Sequence, residues 1–282
     1  TFKANSIENT PTEKISKRTN SLLVFFILTR NNLFYYEIIG NNQKINETCD
    51  RFINEHHHYQ HSIFKEGYLN TVYLYKLKSL FDLRQYDAVL QLADEITPKS
   101  IGLNLLSVKE FMLKTYLNLK NANKAMDFIR EVLHSSAYKN STKIVKERWL
   151  LFEAYVNFFY CFMENKPYKY STAKLYNQIP GLIQDKSGLN LSVRIIDILF
   201  LIGKNNLDAA ATKIDSLSTY QNRYLKESIY LRSSLFLKLL QIMEKKSFNY
   251  KNLKYVKEYT SLKENFSNQI INDNEFIFFD LL

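Results

Sequence analysis

The chain has 282 residues, of which 46% are hydrophobic and 15% aromatic, so it is long enough to bury a sizeable core. Only 6 glycines and 4 prolines occur, which argues against a fold rich in strands and turns and favours long helices. The net charge of +10 suits an anionic partner, but lysine is enriched together with other residues of A/T-rich codons, so the charge alone does not indicate nucleic acid.

The amino-terminal segment, residues 1–12, is polar and aperiodic, and we expect an extended arm there. A single helical-repeat domain is predicted over residues 13–282. A basic stretch at residues 14–18 precedes the apolar run LLVFFIL, and together they superficially resemble a signal peptide. The run is too short to span a bilayer and no small-residue cleavage site follows it, so we predict a core helix.

Two helical hairpins are predicted next. In the first, over residues 21–64, one helix ends near Ile39, a turn follows at residues 40–42, and a second helix carries Ile45 and Cys49. In the second hairpin, over residues 68–98, the turn lies at residues 85–88, and Pro98 ends a short second helix.

The central segment, residues 107–135, has the clearest pattern. Two stretches with apolar residues at i, i+3 and i+4 are separated by a polar run at residues 120–124. Helices joined by so short a turn lie antiparallel, and neither buries its apolar stripe without a neighbouring hairpin. The sequence therefore predicts stacked hairpins.

This segment resembles a degenerate tetratricopeptide repeat. The residues that match the family pattern are Met112, Tyr116, Ala125, Ile129 and Val132. Lys109 and Leu113 stand where the family has tryptophan and glycine. The resemblance implies an all-α, right-handed α-solenoid of about five hairpins with a helical cap at the carboxyl end, and a role in protein or peptide recognition. One equivalent site of the hairpins is predicted at Ile45, Val89, Ala125 and Ala210, whose unequal spacing excludes a strict 34-residue array.

The carboxy-terminal half is less regular. We predict a long helix over residues 144–163, an irregular insertion near residues 164–190 with a short helix at 171–177, and a fifth hairpin from Leu191. A long helix over residues 220–245 and a cap near residues 246–282 complete the prediction. The stretch from Glu147 to Leu225 also resembles a group of bacterial helical-repeat proteins, which implies no activity.

No enzyme signature is present: the sequence has no glycine-rich phosphate loop, nucleophile elbow or metal-protease motif, so a non-enzymatic protein without a cofactor is expected. The cluster at residues 55–61 places His57 and His61 four residues apart, as on a zinc-binding helix face, but no further ligands complete a site. We interpret it as a surface turn and predict no metal. Cys49 and Cys161 are expected as reduced thiols, which suits the cytoplasm.

The family register places a set of first-helix side chains along a concave groove. These predicted groove residues are Arg30, Asn31, Tyr75, Lys78, Glu110, Lys114 and Asn118. Lys78 and Lys114 share one register position and, with Asn118, would orient an acidic peptide or a terminal carboxylate, because ammonium and amide groups donate hydrogen bonds to it. The opposite interpretation is that these lysines only solvate exposed helices.

Two alternatives remain open at this point. The first is a peptide-sensing regulator whose effector domain lies outside this chain. The second is nucleic-acid binding by a basic surface of the carboxy-terminal helices, where tyrosines alternate with cations. The predicted basic-surface residues are Arg223, Lys226, Arg232, Lys238, Lys254 and Lys257. Because no nucleic-acid motif accompanies them, a protein or peptide partner is favoured and no membrane span is expected.

Overall fold

The computed structural model describes residues 18–59, 64–100, 103–184, 189–224, 231–249, 256–264 and residue 277. These residues form helices and turns and no β-strand, which confirms the predicted all-α class. The predicted arm at residues 1–12 lies outside the described residues. Contacts divide the chain into two compact units, Thr1–Phe111 and Met112–Leu282.

The helices of the first unit begin with the apolar run of the sequence. They are α1 (Leu22–Ile38), α2 (Asn42–Glu55), α3 (Lys65–Asp82) and α4 (Tyr86–Ile96), followed by α5 (Leu103–Asn118), which crosses into the second unit. Short 3₁₀ turns follow α2 at His56–His58 and α4 at Thr97–Lys99. The helix before Pro98 is short, as predicted, since α4 ends at Ile96. Proline lacks the N–H that would continue the helix.

The second unit continues with nine further described helices. They are α6 (Ala122–His134), α7 (Ser136–Lys139), α8 (Lys143–Met163), α9 (Thr172–Gln178), α10 (Pro180–Gln184), α11 (Asn190–Gly203), α12 (Leu207–Tyr224), α13 (Leu231–Lys245) and α14 (Lys257–Glu264). The structure confirms the long helix predicted at 144–163 and the short one at 171–177. The helix predicted over residues 220–245 falls on two described helices: its first residues belong to α12, which starts at Leu207, and its last residues form α13. Residues 225–230 lie outside the described part.

One turn geometry recurs between successive helices. The second residue after each first helix has a positive φ: Gly40 (68°), Arg84 (56°), Lys120 (59°) and Asn205 (57°). Its N–H donates three residues back, and the next N–H donates five residues back, which is the Schellman pattern of a helix end. The next residue then directly precedes the second helix, at its N-cap position. At Asn41 and Asn121 the side chain also caps that helix, at 3.0 and 3.1 Å from Lys44 N and Lys124 N.

The site predicted to be equivalent in the hairpins has the same geometry in each of them. The N–H of Ile45, Val89, Ala125 and Ala210 donates to the carbonyl of the residue just before the second helix, at 3.0–3.1 Å. All four side chains are buried. The four positions therefore share one place at a helix start, and their equivalence as sites of a repeat stays a prediction.

The core of the first unit lies between α1, α2 and α3. Phe25 of α1 stacks on Phe52 of α2 with ring centroids 5.0 Å apart, and Leu33, Cys49 and Val72 are fully buried around them. The apolar run at the start of α1 is therefore part of a packed helix, as predicted. Its burial against two helices supplies the hydrophobic stabilisation that a single helix lacks.

The second unit is built around α8, which contacts α6, α9, α10 and α11. Trp149, Phe152 and Tyr155 of α8 are buried, and the Tyr155 hydroxyl donates to the carbonyl of Ser192 on α11 at 2.9 Å. A second cluster joins α11 to α14 and includes Leu262. The hydroxyl of Tyr155 is hydrogen-bonded although its side chain is buried, as is usual for buried polar groups.

The insertion between α8 and α11 contacts α8 and is fastened to α11. Tyr170 stacks on Phe200 of α11 at 5.3 Å, and Lys204 Nζ donates to the Tyr170 carbonyl at 2.7 Å. The Tyr176 hydroxyl donates to buried Asp197 at 3.1 Å. The predicted irregular segment therefore packs as a wall of the second unit.

Candidate functional site

Helix α1 has no polar face. Its sequence, LLVFFILTRNNLFYYEI, places apolar side chains all around the axis. Leu22, Phe25, Phe26, Thr29 and Leu33 are buried against the core. A helix that is apolar all round is normally covered on every side, so the outward half of α1 is the unusual part.

That outward half carries most of the exposed apolar surface that the described residues present. Of the eleven large apolar side chains exposed in this part of the chain, six belong to α1 or to the residue after it. They are Leu23, Ile27, Phe34, Tyr35, Ile38 and Ile39, exposed by 39 to 58%, and we call them the α1 face. At about 100° per residue, the four side chains Leu23, Ile27, Phe34 and Ile38 fall within an arc of about 60° around the helix axis, so they form one stripe along the helix.

Two predicted groove residues lie at the middle of this stripe. Arg30 and Asn31 are exposed between Ile27 and Phe34. They give the otherwise apolar face one cation and one amide at its centre. An apolar patch with a polar centre can both bury a partner and fix its position.

Two further predicted groove residues, Tyr75 and Lys78, lie on α3 beside Glu37 of α1. Lys78 Nζ is 3.5 Å from Glu37 Oε1 and donates to Asp82 Oδ2 at 3.2 Å. Burial raises the pKa of Tyr75, and the charge of Glu37 raises it further, while Arg30 and Lys78 lower it. These groups therefore share one edge of the α1 face, where Lys78 is neutralised by two carboxylates of the protein.

The remaining predicted groove residues lie on α5. Glu110 belongs to the first unit and is half-buried, whereas Lys114 and Asn118 belong to the second unit and are each 5% exposed. The Asn118 amide donates to the carbonyl of Lys114 at 2.7 Å. Their joint action with Lys78 on one ligand stays a prediction.

The predicted basic surface is corrected at one position. Arg232 is 3% exposed, and its guanidinium donates to the carbonyl of Leu262 on α14 at 2.7 Å, so it is an interior residue that joins α13 to α14. A buried guanidinium needs such acceptors, because an unsatisfied one is costly to bury. Lys238 and Lys257 are exposed. The side chains of Arg223, Lys226 and Lys254 lie outside the described part.

The histidine cluster forms the 3₁₀ turn after α2, where His56 Nδ1 lies 2.7 Å from the carbonyl of Ile53. His61 is outside the described residues. Within the described residues, no three His, Cys, Asp or Glu side chains are grouped so that they could hold a metal ion. No helix among the same residues has the length and hydropathy needed to cross a bilayer.

In comparisons with known proteins, no family model, no curated protein and no solved structure matches this chain.

Sequence reasoning predicts Arg30 and Asn31 as groove residues but misses the exposed apolar stripe around them. The available signal is the lack of a polar face in α1, whereas the sequence analysis uses only the apolar run LLVFFIL, as evidence for a core helix. Periodicity identifies a helix, but it does not tell which side of an all-apolar helix remains uncovered.

Proposed function

We propose that this chain is a non-enzymatic protein-binding scaffold whose α1 face takes an amphipathic helix of a partner protein. The scaffold would be a right-handed α-solenoid of tetratricopeptide-like hairpins with a carboxy-terminal helical cap. The recurring Schellman turn supports this arrangement, because the same turn brings each pair of helices into the same local geometry. The two free cysteines support a place in the reducing cytoplasm.

The observation that carries the proposal is the exposure of the α1 face. A fully exposed large apolar side chain presents roughly 200 Å², so six half-exposed ones leave roughly 600 Å² in contact with water. A patch of this size marks an interaction site more often than an ordinary surface. It also approaches the roughly 800 Å² that each partner contributes to a standard interface.

The chemistry of the face specifies the kind of partner. Leu23, Ile27, Phe34 and Ile38 form a straight stripe along a 17-residue helix, which matches the apolar positions i, i+4 and i+7 of a second helix. Arg30 at its centre would pair with an acidic residue of the partner. Glu37 is already paired with Lys78, which weakens its repulsion of an acidic residue of the partner.

The test is affinity capture from native lysate with matched variants. The double variant Ile27→Glu/Phe34→Glu places two charges on the α1 face, at side chains that are 47 and 58% exposed. The control, Ile144→Glu/Phe162→Glu, makes the same changes on α8 at side chains that are 54 and 57% exposed. Circular dichroism checks that both variants keep their helices, and half of each sample is treated with nuclease.

We expect the wild type and the control to capture the same protein partner. The α1 variant should capture at least about tenfold less of that partner, because its charged groups would have to be desolvated in an apolar interface. Equal capture by both variants would contradict the proposal. Recovery of nucleic acid alone, lost on adding salt, would support the basic-surface alternative. Dimerisation of the wild type that the α1 variant lacks would show that the face binds a second copy.

A further inference from the structure

The second unit contains a cavity of about 450 Å³ between α6, α7, α8 and the insertion. Leu133 and Leu150 give it apolar walls, and Tyr138 and Tyr170 add aromatic rings. Glu153 of α8 and Lys174 of α9 also line it. This volume lies within the roughly 300–1,000 Å³ of small-molecule sites, which combine apolar walls with a few polar groups.

The two charged groups of the cavity have opposite signs, and neither neutralises the other by direct contact. Among the described residues, the Glu153 carboxylate has no hydrogen bond or ion pair, and Lys174 influences it only through space. Burial raises the pKa of Glu153, and Lys174 opposes that shift. Burial also raises the pKa of Tyr138 and of Tyr170, and the charge of Glu153 adds to both shifts. The carboxylate and both phenols therefore face one shared space.

The wall formed by the insertion is held in place before any ligand binds. Tyr170 is clamped by its stack on Phe200 and by the hydrogen bond from Lys204. Ser171 caps α9 by accepting from the N–H of Lys174 at 3.2 Å, which fixes the backbone that carries this lysine. A preformed wall lowers the entropy lost on binding a small ligand.

We propose that this cavity binds a small zwitterion of the α-amino acid class, with the ammonium group at Glu153, the carboxylate at Lys174 and the side chain against the two leucines. A simple cation would satisfy Glu153 but would be repelled by Lys174. A simple anion would be held by Lys174 but would meet the carboxylate of Glu153. Only a ligand with both charges neutralises the whole lining.

The first experiment is a thermal-shift screen of the full chain with each of the twenty standard L-amino acids at about 10 mM, where a millimolar ligand gives a measurable stabilisation. Each responder is then titrated by calorimetry beside its two deletion analogues. For L-leucine these are 3-methylbutylamine, which lacks the carboxylate, and 4-methylpentanoate, which lacks the amine. We expect each analogue to bind at least about tenfold more weakly than the amino acid, because each loses one charge-assisted interaction.

Variants assign each charge to its residue. Glu153→Gln should weaken the amino acid about tenfold without weakening the amine-free analogue, which no longer meets a like charge. Lys174→Met should weaken the amino acid without weakening the carboxylate-free analogue. Lys139→Met, at an exposed lysine outside the cavity lining, is the matched control and should bind like the wild type.

The proposal is overturned if none of the twenty amino acids stabilises the chain, if a responder binds no better than its analogues, or if Glu153→Gln and Lys174→Met keep wild-type affinity. A cavity that takes amines and amino acids equally would show that Glu153 acts alone. The α1 face belongs to the other unit and takes no part in this test, so failure here leaves the protein-binding proposal as it stands.

Discussion

The Oε2 atom of Glu147 accepts a hydrogen bond from the backbone N–H of Leu182 at 3.0 Å, across 35 residues of sequence. Glu147 is 2% exposed, and its other oxygen lies 3.8 Å from Nζ of exposed Lys143. The carboxylate thereby ties α10, at the end of the insertion, to α8. Gly181 permits this approach, because a Cβ at that position would meet Oε2 at 2.7 Å.

We expect Gly181→Ala to lower the free energy of unfolding by about 1–3 kcal/mol, since the methyl group must displace a buried carboxylate or break its hydrogen bond. The control is Gly67→Ala on α3, where an added Cβ meets nothing within 4 Å. That change should be neutral or stabilise by up to about 1 kcal/mol, as alanine favours helix. Urea denaturation measures both. Equal stability of the two variants would show that the Glu147 contact is dispensable.

The recurring turn predicts opposite effects for two substitutions. Lys120 has a φ of 59°, which an L-residue adopts only with strain, so Lys120→Gly should stabilise the protein by about 0.5–1 kcal/mol. Gly40, at φ 68°, should lose about 1 kcal/mol when replaced by alanine. Lys238→Gly within α13 is the control and should destabilise by about 1 kcal/mol. Thermal unfolding distinguishes these signs, and a destabilising Lys120→Gly would contradict the assigned turn.

The pKa shift of Glu153 predicts a pH-dependent effect on stability. Burial raises the pKa of Glu153 in the folded protein, so folding favours its protonated form, and this contribution is lost as the pH rises through the raised pKa. At pH 7 the ionised carboxylate is therefore a cost that Glu153→Gln removes. We expect a rise in Tm of about 1–3 °C at pH 7, limited by solvent screening, and almost none at pH 4.

Glu47→Gln serves as the control for this effect. A hydrogen bond from Lys44 lowers the pKa of Glu47, so the sign is opposite and the variant should gain nothing at pH 7. An equal gain from both variants at pH 7 would indicate a general effect of net charge. A gain from Glu153→Gln that persists at pH 4 would show that burial of the charge is not its cause.

The two thiols should differ in reactivity. Cys49 is fully buried, and burial raises the pKa of its thiol, whereas Cys161 is partly exposed near the carbonyl of Pro167. Thiolate is the reactive form, so a thiol reagent should add one label to the native protein, at Cys161. Intact-mass measurement follows the labelling, and Cys161→Ser should abolish the fast step. Rapid double labelling would contradict the burial of Cys49.

Much of the secondary structure follows from local sequence. The helices around the turns at Gly40 and Lys120 have apolar residues at helical spacing and are separated by residues that take positive φ or cap the next helix. These signals act over a few residues, so they can be recognised without knowledge of the fold. Of the candidate site, Arg30 and Asn31 are predicted as groove residues only through the family register, and the structure places both on the exposed side of α1.

What the sequence by itself determined is therefore the all-α class, the positions of most helices and the recurrence of the hairpin turn. Only the tertiary structure decided which side of α1 stays uncovered, that Arg232 is buried against Leu262, and that the insertion and Glu153 line one cavity. The physical reason is range: periodicity and capping depend on neighbours along the chain, whereas burial depends on contacts such as Glu147 with Leu182, which join residues far apart in sequence.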